Sequence, residues 1–422
     1  MKRIVIIASG TRGDVQPAIA LGKTLQTVGY QVRIWASSNF RSWIEGYGLE
    51  AATSQVNIQE LMESEGGKEW VERGHNRLVQ IRVMKKLLDK FGWQLVKEAW
   101  EACQDADAVI SSFTSDAFAV TIAEKLGIPH FSMPLQPTLI ATRDGRSMPN
   151  VPLPNRVSWI NGWFSRLMIE PFPWQLYGAY TNRLRQEIGL PFQTNRENVA
   201  ARKRMTILHA VSRHVMPFPA DWSPNFHITG YWFLDNEPDW QPPAELTAFL
   251  EAGPPPVYIG FGSMTNRDPA GTTRLISEAV RQSGQRAILL SGWAGMGQMA
   301  LPPEILRLDS APHGWLFPRM TAVIHHGGAG TTAAGLRAGV PSIIVPHMVD
   351  QPYWGQRVQA LGVGPKPVPR HKLTAVNLAY AIQEAATNGT IQQNAAALGA
   401  KIRNEDGLGK AVNIINQVMG GR

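Results

Sequence analysis

The chain has 422 residues, 44% hydrophobic and 18% charged, with a formal net charge of +8 at neutral pH. That length exceeds one comfortable core and predicts two domains of roughly 200 residues each, while the composition excludes extended disorder. A single cysteine, Cys103, excludes internal disulfides and a cysteine-built zinc cage, which fits a reducing compartment and a cytoplasmic protein.

The N-terminus has a basic start, but its apolar run of about five residues is too short for a signal peptide and reads as a first strand. No stretch approaches the roughly 18 apolar residues of a membrane span. Strand Arg3–Ala8, loop Gly10–Pro17, helix Ala18–Val28 and strand Gln31–Trp35 form a βαβ unit, hence an open parallel sheet with a crevice at its strand C-termini. Leu78–Trp100 reads as a helix. Its bases Arg77, Arg82, Lys85, Lys86 and Lys90 make either a solvated face or, through the 77–100 segment, a peripheral contact with anionic lipid. Ala108–Ser112 and Ile128–Met133 are strands around a helix at Ser115–Leu126. The stretch 159–180 is dense in aromatics, among them Trp159, Trp163, Phe172 and Trp174. They serve either as core or as a wall for a large flat apolar ligand.

Prolines crowd positions 217–256, which reads as a linker. The domains are therefore expected at 1–216 and 257–400, with 401–422 forming a C-terminal helix that packs back on the first. A second α/β pattern starts at strand Val257–Phe261, continues through helix Thr273–Gln282 and strand Ala287–Leu290, and reaches its densest motif at Thr321–Asp350. There a strand, Ala322–Ile324, runs into His325-His326 and the turn Gly327–Gly330. Thr331 and Thr332 are placed to cap a helix over Ala333–Ala338, and Ser342–Pro346 is the next strand. A strand, a glycine turn and a helix N-terminus together make an anion site, because free N–H groups converge at the positive end of the helix dipole.

Gly328–Ala333 also matches the dinucleotide fingerprint GxGxxG/A, with Asp350 about 20 residues on, so an NAD-dependent oxidoreductase is an alternative. Against it, the motif falls late in its α/β unit, and the preceding histidines have no part in that fingerprint. Asp105-Ala106-Asp107 has the look of a metal-holding carboxylate pair but lies at the wrong end of a strand, and reads as a polar loop. Asp14, at the C-terminal end of the first strand, is either a helix cap or a catalytic base. His313, Trp315, Asp350 and Gln351 are loop residues suited to a ligand rich in hydroxyls.

Taken together, GTRGDVQPAIALGKTL at Gly10–Leu25, SRHVMPFPADWSPNFHITGYWF at Ser212–Phe233, GFGSM at Gly260–Met264 and the run Pro312–Gly364 resemble the UDP-glycosyltransferase superfamily. The branch is similar to sterol 3-beta-glucosyltransferases and bacterial antibiotic or lipid glycosyltransferases. That resemblance implies a GT-B fold, two Rossmann-like domains facing a cleft. It also implies inverting, metal-independent transfer of a hexose from a nucleotide sugar, UDP-glucose or alternatively a dTDP-sugar. No cofactor is implied, since the nucleotide sugar is a co-substrate, and no nucleic-acid partner. The acceptor is a lipophilic alcohol such as a sterol, hopanoid or polyketide. By the resemblance Asp14 is the base, and Asp116 matches a second carboxylate. Ser263, His325 and the backbone of Gly328, Gly330 and Thr331 hold the diphosphate, while Asp350 and Gln351 meet the sugar. Plant-type relatives stack a tryptophan on uracil where this chain has Ser310 and, three residues on, His313; Trp293 or Trp315 is the substitute.

Overall fold

The computed structural model describes residues 1–422 apart from 74–75, 235–239, 263, 265–267, 293–294 and 421–422. It divides into two compact units: Met1–Glu60 with Ile81–Leu234 and Glu405–Arg422, and Leu61–Gln80 with Asp235–Asn404.

Unit 1 is built on seven parallel strands, β1 Arg3–Ile7, β2 Gln31–Ser37, β3 Glu50–Ser54, β4 Ala108–Ser111, β5 His130–Ser132, β6 Thr206–His209 and β7 Phe226–Ile228. Their spatial order is β3-β2-β1-β4-β5-β6-β7, so the winding direction reverses between β1 and β4. A parallel sheet covered on both faces needs strands that are apolar throughout, and Ile4, Val5, Ile6 and Ile7 are all fully buried. The Arg77–Ala102 helix packs its apolar side, including Leu88, Val96 and Ala99, into one cluster with Val5, Phe118 and Tyr177. Its bases Arg82, Lys85, Lys86 and Lys90 face solvent. The C-terminal helix Gly407–Gly420 lies along the first helix of this unit, where Lys2 Nζ donates to Met419 O (2.7 Å) and Tyr30 Oη to Asn416 Oδ1 (2.9 Å).

Unit 2 carries five parallel strands, β8 Val257–Gly260, β9 Ala287–Leu290, β10 Ile305–Leu308, β11 Ala322–His325 and β12 Ser342–Ile344, ordered β10-β9-β8-β11-β12. Here the reversal falls between β8 and β11. Met62 and Val71, from the Leu61–Gln80 segment, join Val257, Ile276, Ile324 and Ile382 in the core of this unit.

The proline-rich stretch 217–256 is not one continuous linker. It contains β7, paired in register with β6, and a helix at Ala244–Glu251, and unit 1 runs on to Leu234. Pro217, Pro219 and Pro224 lie between elements, where a missing N–H costs no ladder bond. Pro238 falls outside the described residues.

Candidate active site

In an open α/β sheet, ligands bind beyond the strand C-termini where the winding reverses, because adjacent loops diverge there and leave a crevice. In unit 1 that point is flanked by the chain leaving β1 and β4; in unit 2 it is flanked by the chain leaving β8 and β11.

Asp14 follows β1. Its helix is Arg12–Thr27, six residues longer at the start than the sequence suggests, with Pro17 inside it. The reason is a capping box: Thr11 is the N-cap, and its backbone N–H donates to Asp14 Oδ2 (2.8 Å), with the Thr11 hydroxyl at 3.4 Å from the same oxygen. Asp14 is thus a helix cap in this structure, oriented at the positive end of the helix dipole. Gly10, at φ +150°, makes room for it, since a methyl group there would collide with Asp14 Oδ2.

Asp116 follows β4 and is buried. One oxygen accepts from Ser111 Oγ and the other from Ser132 Oγ (2.7 Å), two serines that face each other across β4 and β5. Ser111 Oγ also lies 2.7 Å from His130 Nε2. Burial pushes the His130 imidazole down to about 3, so the ring is neutral. With Ser111 donating to Asp116, the proton of that ring belongs on Nε2, giving a chain His130→Ser111→Asp116. Desolvation outweighs the serine hydrogen bonds and the Arg202 charge, and raises the Asp116 carboxyl to about 6. Sequence reasoning missed Ser111, His130 and Ser132; polar side chains in a fully buried parallel strand were the available signal.

In unit 2 the chain leaves β11 at His325, passes Gly327 at φ +88° and enters the helix Ala329–Ala338 with Gly328 as N-cap. That helix starts four residues before the expected Ala333, which puts Thr331 and Thr332 inside its first turn instead of at the cap. A glycine cap contributes no side-chain acceptor, so the first-turn N–H groups of Ala329, Gly330 and Thr331 keep no intrahelical partner. His325 is fully buried. Its Nδ1 accepts from Gly327 N (3.1 Å), and its Nε2 has no partner among the described residues. Burial, followed by the neighbouring His326 and His313, holds its pKa well below the ordinary value. The ring is neutral, and because Nδ1 accepts, Nε2 carries the hydrogen: a buried donor without an acceptor among the described residues.

His326 packs against the backbone of Gly262 and Gly328. A methyl on Gly262 would sit 3.0 Å from its Cε1, and one on Gly328 2.5 Å from its Nε2. Gln351 points inward, its Oε1 accepting from His347 N (2.7 Å) and Met348 N (3.1 Å), and its Nε2 lying 3.6 Å from Met264 Sδ. Asp350 Oδ2 accepts from Trp354 Nε1 (2.8 Å), and burial lifts its carboxyl to about 6. His313 stacks on Phe317 with ring centroids 4.3 Å apart. Trp315 has the Arg319 guanidinium 4.0 Å over its ring and Trp240 beside it. Ser263 and Trp293 lie outside the described residues.

The four aromatics expected to form an acceptor wall do not share an environment. Phe172 packs into the unit 1 core, Trp174 lies against Gly178 of its own helix, and Trp159 and Trp163 face solvent. Asp105 pairs with Arg3 and Arg33, as a polar loop would. Among the described residues no group of three or more His, Cys, Asp or Glu side chains is placed to hold a metal ion, and no helix is long and apolar enough to cross a membrane.

Residues 4–141 match the glycosyltransferase family 28 N-terminal domain, and residues 274–407 match the C-terminal domain of the erythromycin biosynthesis protein CIII-like family. The chain belongs to the glycosyltransferases of the GT-B fold. Within them it is related to the sterol 3-beta-glucosyltransferases: it is 36% identical to that of Cryptococcus neoformans var. neoformans serotype D over 98% of this chain and 27% of that protein. It is 37% identical to that of Yarrowia lipolytica over 97% of this chain and 28% of that protein. The chain thus spans under a third of the length of these relatives. Among solved structures, the glycotransferase of kitacinnamycin superposes with a TM-score of 0.71 at 18% identity, covering 99% of this chain and 98% of that one. The glycosyltransferase VinC in complex with dTDP superposes at 0.65 and 18% identity, covering 100% of each. The oxidoreductase reading of Gly328–Ala333 falls with this membership. The turn follows β11, the fourth strand of its unit, whereas a dinucleotide fingerprint opens on the first.

Proposed function

We propose that the chain transfers a hexose from a nucleoside-diphosphate sugar, UDP-glucose in the first instance, to the hydroxyl of a lipophilic alcohol with inversion at C1. The observation that carries this reading is the unit 2 turn, where β11 ends on a buried His325 Nε2–H that has no partner among the described residues and the chain then enters a helix whose Ala329–Thr331 N–H groups are open. In the proposed step Asp14 takes the acceptor proton, the acceptor oxygen bonds to C1, and the bond from C1 to the diphosphate oxygen breaks. The departing diphosphate gains negative charge, and oriented N–H donors in a site with little water stabilise it without reorganising. A neutral His325 suits this role, because it donates a hydrogen bond without titrating near neutral pH. Ser263 is assigned to the same phosphates. Asp350, Gln351, His313 and Trp315 complete the donor site, with Gln351 acting by holding the 347–348 backbone in place. Trp293 is the candidate platform for the base. Unit 1 takes the acceptor.

Relatives 36–37% identical and named sterol 3-beta-glucosyltransferase support the sugar and the acceptor class. The test is incubation with UDP-glucose and a panel of sterols, hopanoids and polyketide alcohols, with the product anomer determined by NMR. Formation of a β-glucoside supports the reading; no product from any acceptor, with no UDP released, refutes it. A second reading, a dTDP-sugar carried to an antibiotic-type aglycone, is favoured by the likeness to VinC, solved with dTDP. Thermal shift with UDP against dTDP separates the two, since a bound ligand stabilises with the logarithm of its saturation.

A further inference from the structure

Strand β5 opens on His130 and β6 on Thr206, and both residues line a cavity of about 610 Å³ within unit 1. That volume lies in the range of small-molecule sites, roughly 300 to 1,000 Å³. The cavity sits at the N-terminal rim of the sheet, whereas Asp116 follows the C-terminal end of β4, where the crevice of this unit opens. The helices Asp116–Leu126, Asn195–Arg204 and Gly407–Gly420 enclose it through Val120, Ala201 and Val418, and Ile128, Phe192 and Met205 complete an apolar wall. None of these side chains serves the transfer chemistry.

The polar part of the lining selects the occupant. Its formal charges cancel, Glu124 and Glu197 against Arg185 and Arg204. Arg185 Nη1 meets Glu124 at 2.7 Å and its Nε donates to Pro191 O (2.6 Å), while Glu197 accepts from Thr194 N (2.7 Å) and Thr194 Oγ1 (2.8 Å). An ion entering here would lose its hydration and find no net countercharge, so the lining suits an uncharged molecule. It also offers an acceptor. His130 Nε2–H is engaged by Ser111 Oγ (2.7 Å), which leaves Nδ1 as a buried lone pair with no partner among the described residues. A hydroxyl donor from a ligand would satisfy it, whereas an ionised carboxylate or phosphate has only acceptors to present.

We propose that this cavity binds a small uncharged apolar alcohol or phenol whose hydroxyl donates to His130 Nδ1, and that its occupancy is felt at Asp116. The path is the hydrogen-bond chain already described. Donation into Nδ1 polarises the imidazole, which strengthens the bond from Nε2–H to Ser111 and, in turn, the bond from Ser111 to the Asp116 carboxyl. A molecule at the N-terminal rim thereby reaches the crevice end of β4 through two further hydrogen bonds, without occupying the crevice. The site lies wholly in unit 1 and needs no nucleotide sugar, so it stands whatever donor and acceptor the reaction proves to use.

The experiment titrates the full chain at neutral pH with 2-naphthol and with 2-methoxynaphthalene, which has the same rings but no hydroxyl donor. The wild type should bind the naphthol roughly tenfold more tightly than the ether. His130→Phe should abolish that preference, and Ala201→Leu, which fills the cavity, should weaken both ligands by roughly tenfold. The carboxyl carbon signal of Asp116, identified by its loss in Asp116→Asn, should shift on addition of 2-naphthol to the wild type and stay put in Ser111→Ala. Ala201→Leu carries the test by itself if His130→Phe loses its circular-dichroism signal. Absence of naphthol binding, equal affinity for alcohol and ether, or binding that Ala201→Leu leaves unchanged, as for a molecule lodged in the crevice, would each overturn the site. An Asp116 signal that ignores a bound naphthol would overturn its link to the crevice.

Discussion

Asp116 offers a test in which the structure supplies the magnitude. Its carboxyl lies between Ser111 and Ser132 with no salt bridge among the described residues, and burial raises it from 3.8 to about 6. For an acid whose folded value is raised, the folded state holds the proton more tightly than the unfolded chain does. The associated stability is therefore complete below about pH 3.8 and is lost as pH climbs through about 6. The gap corresponds to roughly 3 kcal/mol once the group is fully ionised, and close to half of it develops between about pH 5 and pH 8. Asp116→Asn keeps the shape, accepts from one serine and donates to the other, and has no charge to desolvate. In urea unfolding at both pH values, the variant should gain on the wild type by roughly 1 to 2 kcal/mol between pH 5 and pH 8. The comparison cancels every other titrating group, including Asp350. A wild-type-to-variant difference that stays constant with pH would refute the placement of this carboxyl, and one that moves the other way would mean that Arg202 dominates it.

Asp14→Asn retains the cap acceptor and should cost under about 1 kcal/mol of stability while lowering kcat by roughly 10²- to 10⁴-fold, and wild-type turnover in this variant would remove Asp14 as base. Gly10→Ala should reproduce much of that loss by displacing the Asp14 carboxylate, with nucleotide binding measured by calorimetry unchanged. Gln351→Ala leaves the N–H groups of His347 and Met348 buried without an acceptor. Its expected cost is roughly 1 to 3 kcal/mol of unit 2 stability, with weaker nucleotide binding, both read from thermal melts. The buried imidazoles of His130, His209 and His347 are pushed down to about 3, so their stability contribution is complete above pH 6.5 and is lost as pH falls towards their folded values. Each should cost roughly 2 kcal/mol at pH 5 relative to neutral, visible as a fall in urea midpoint that removing one of these rings reduces.

Most of the fold was legible because buried parallel strands are apolar from end to end: Val257–Gly260, Ala287–Leu290 and Ala322–His325 stand out as such. The glycine turn after β11 was equally visible, since a strand followed by Gly-Gly-Ala-Gly has few other uses. Helix starts were less so. Arg12-Gly13 is a poor helix opening by propensity, yet the Thr11–Asp14 capping box draws the helix back to it, and the glycine cap at Gly328 does the same for the later helix. What sequence could not show was long-range. Nothing local ties Leu61–Gln80 to a strand some two hundred residues later, and nothing in the run of aromatics at 159–180 reveals that Asn161 holds two of them outward. At the candidate site the residue identities were visible, while the neutral state of His325 and the inward engagement of Gln351 follow only from their neighbours.

The interleaving of the units bears on how the chain is made. The Gly407–Gly420 helix closes the unit that Met1 begins, and Lys2 and Tyr30 hold on to it across nearly the whole sequence. Unit 1 is therefore synthesised in part before and in part after the sheet of unit 2. Its opening strands leave the ribosome long before the helix that seals them, whereas the sheet of unit 2 can assemble in the meantime on contiguous chain. A nascent chain stalled before residue 405 would expose the flank of the first helix, and that is where a chaperone would find it.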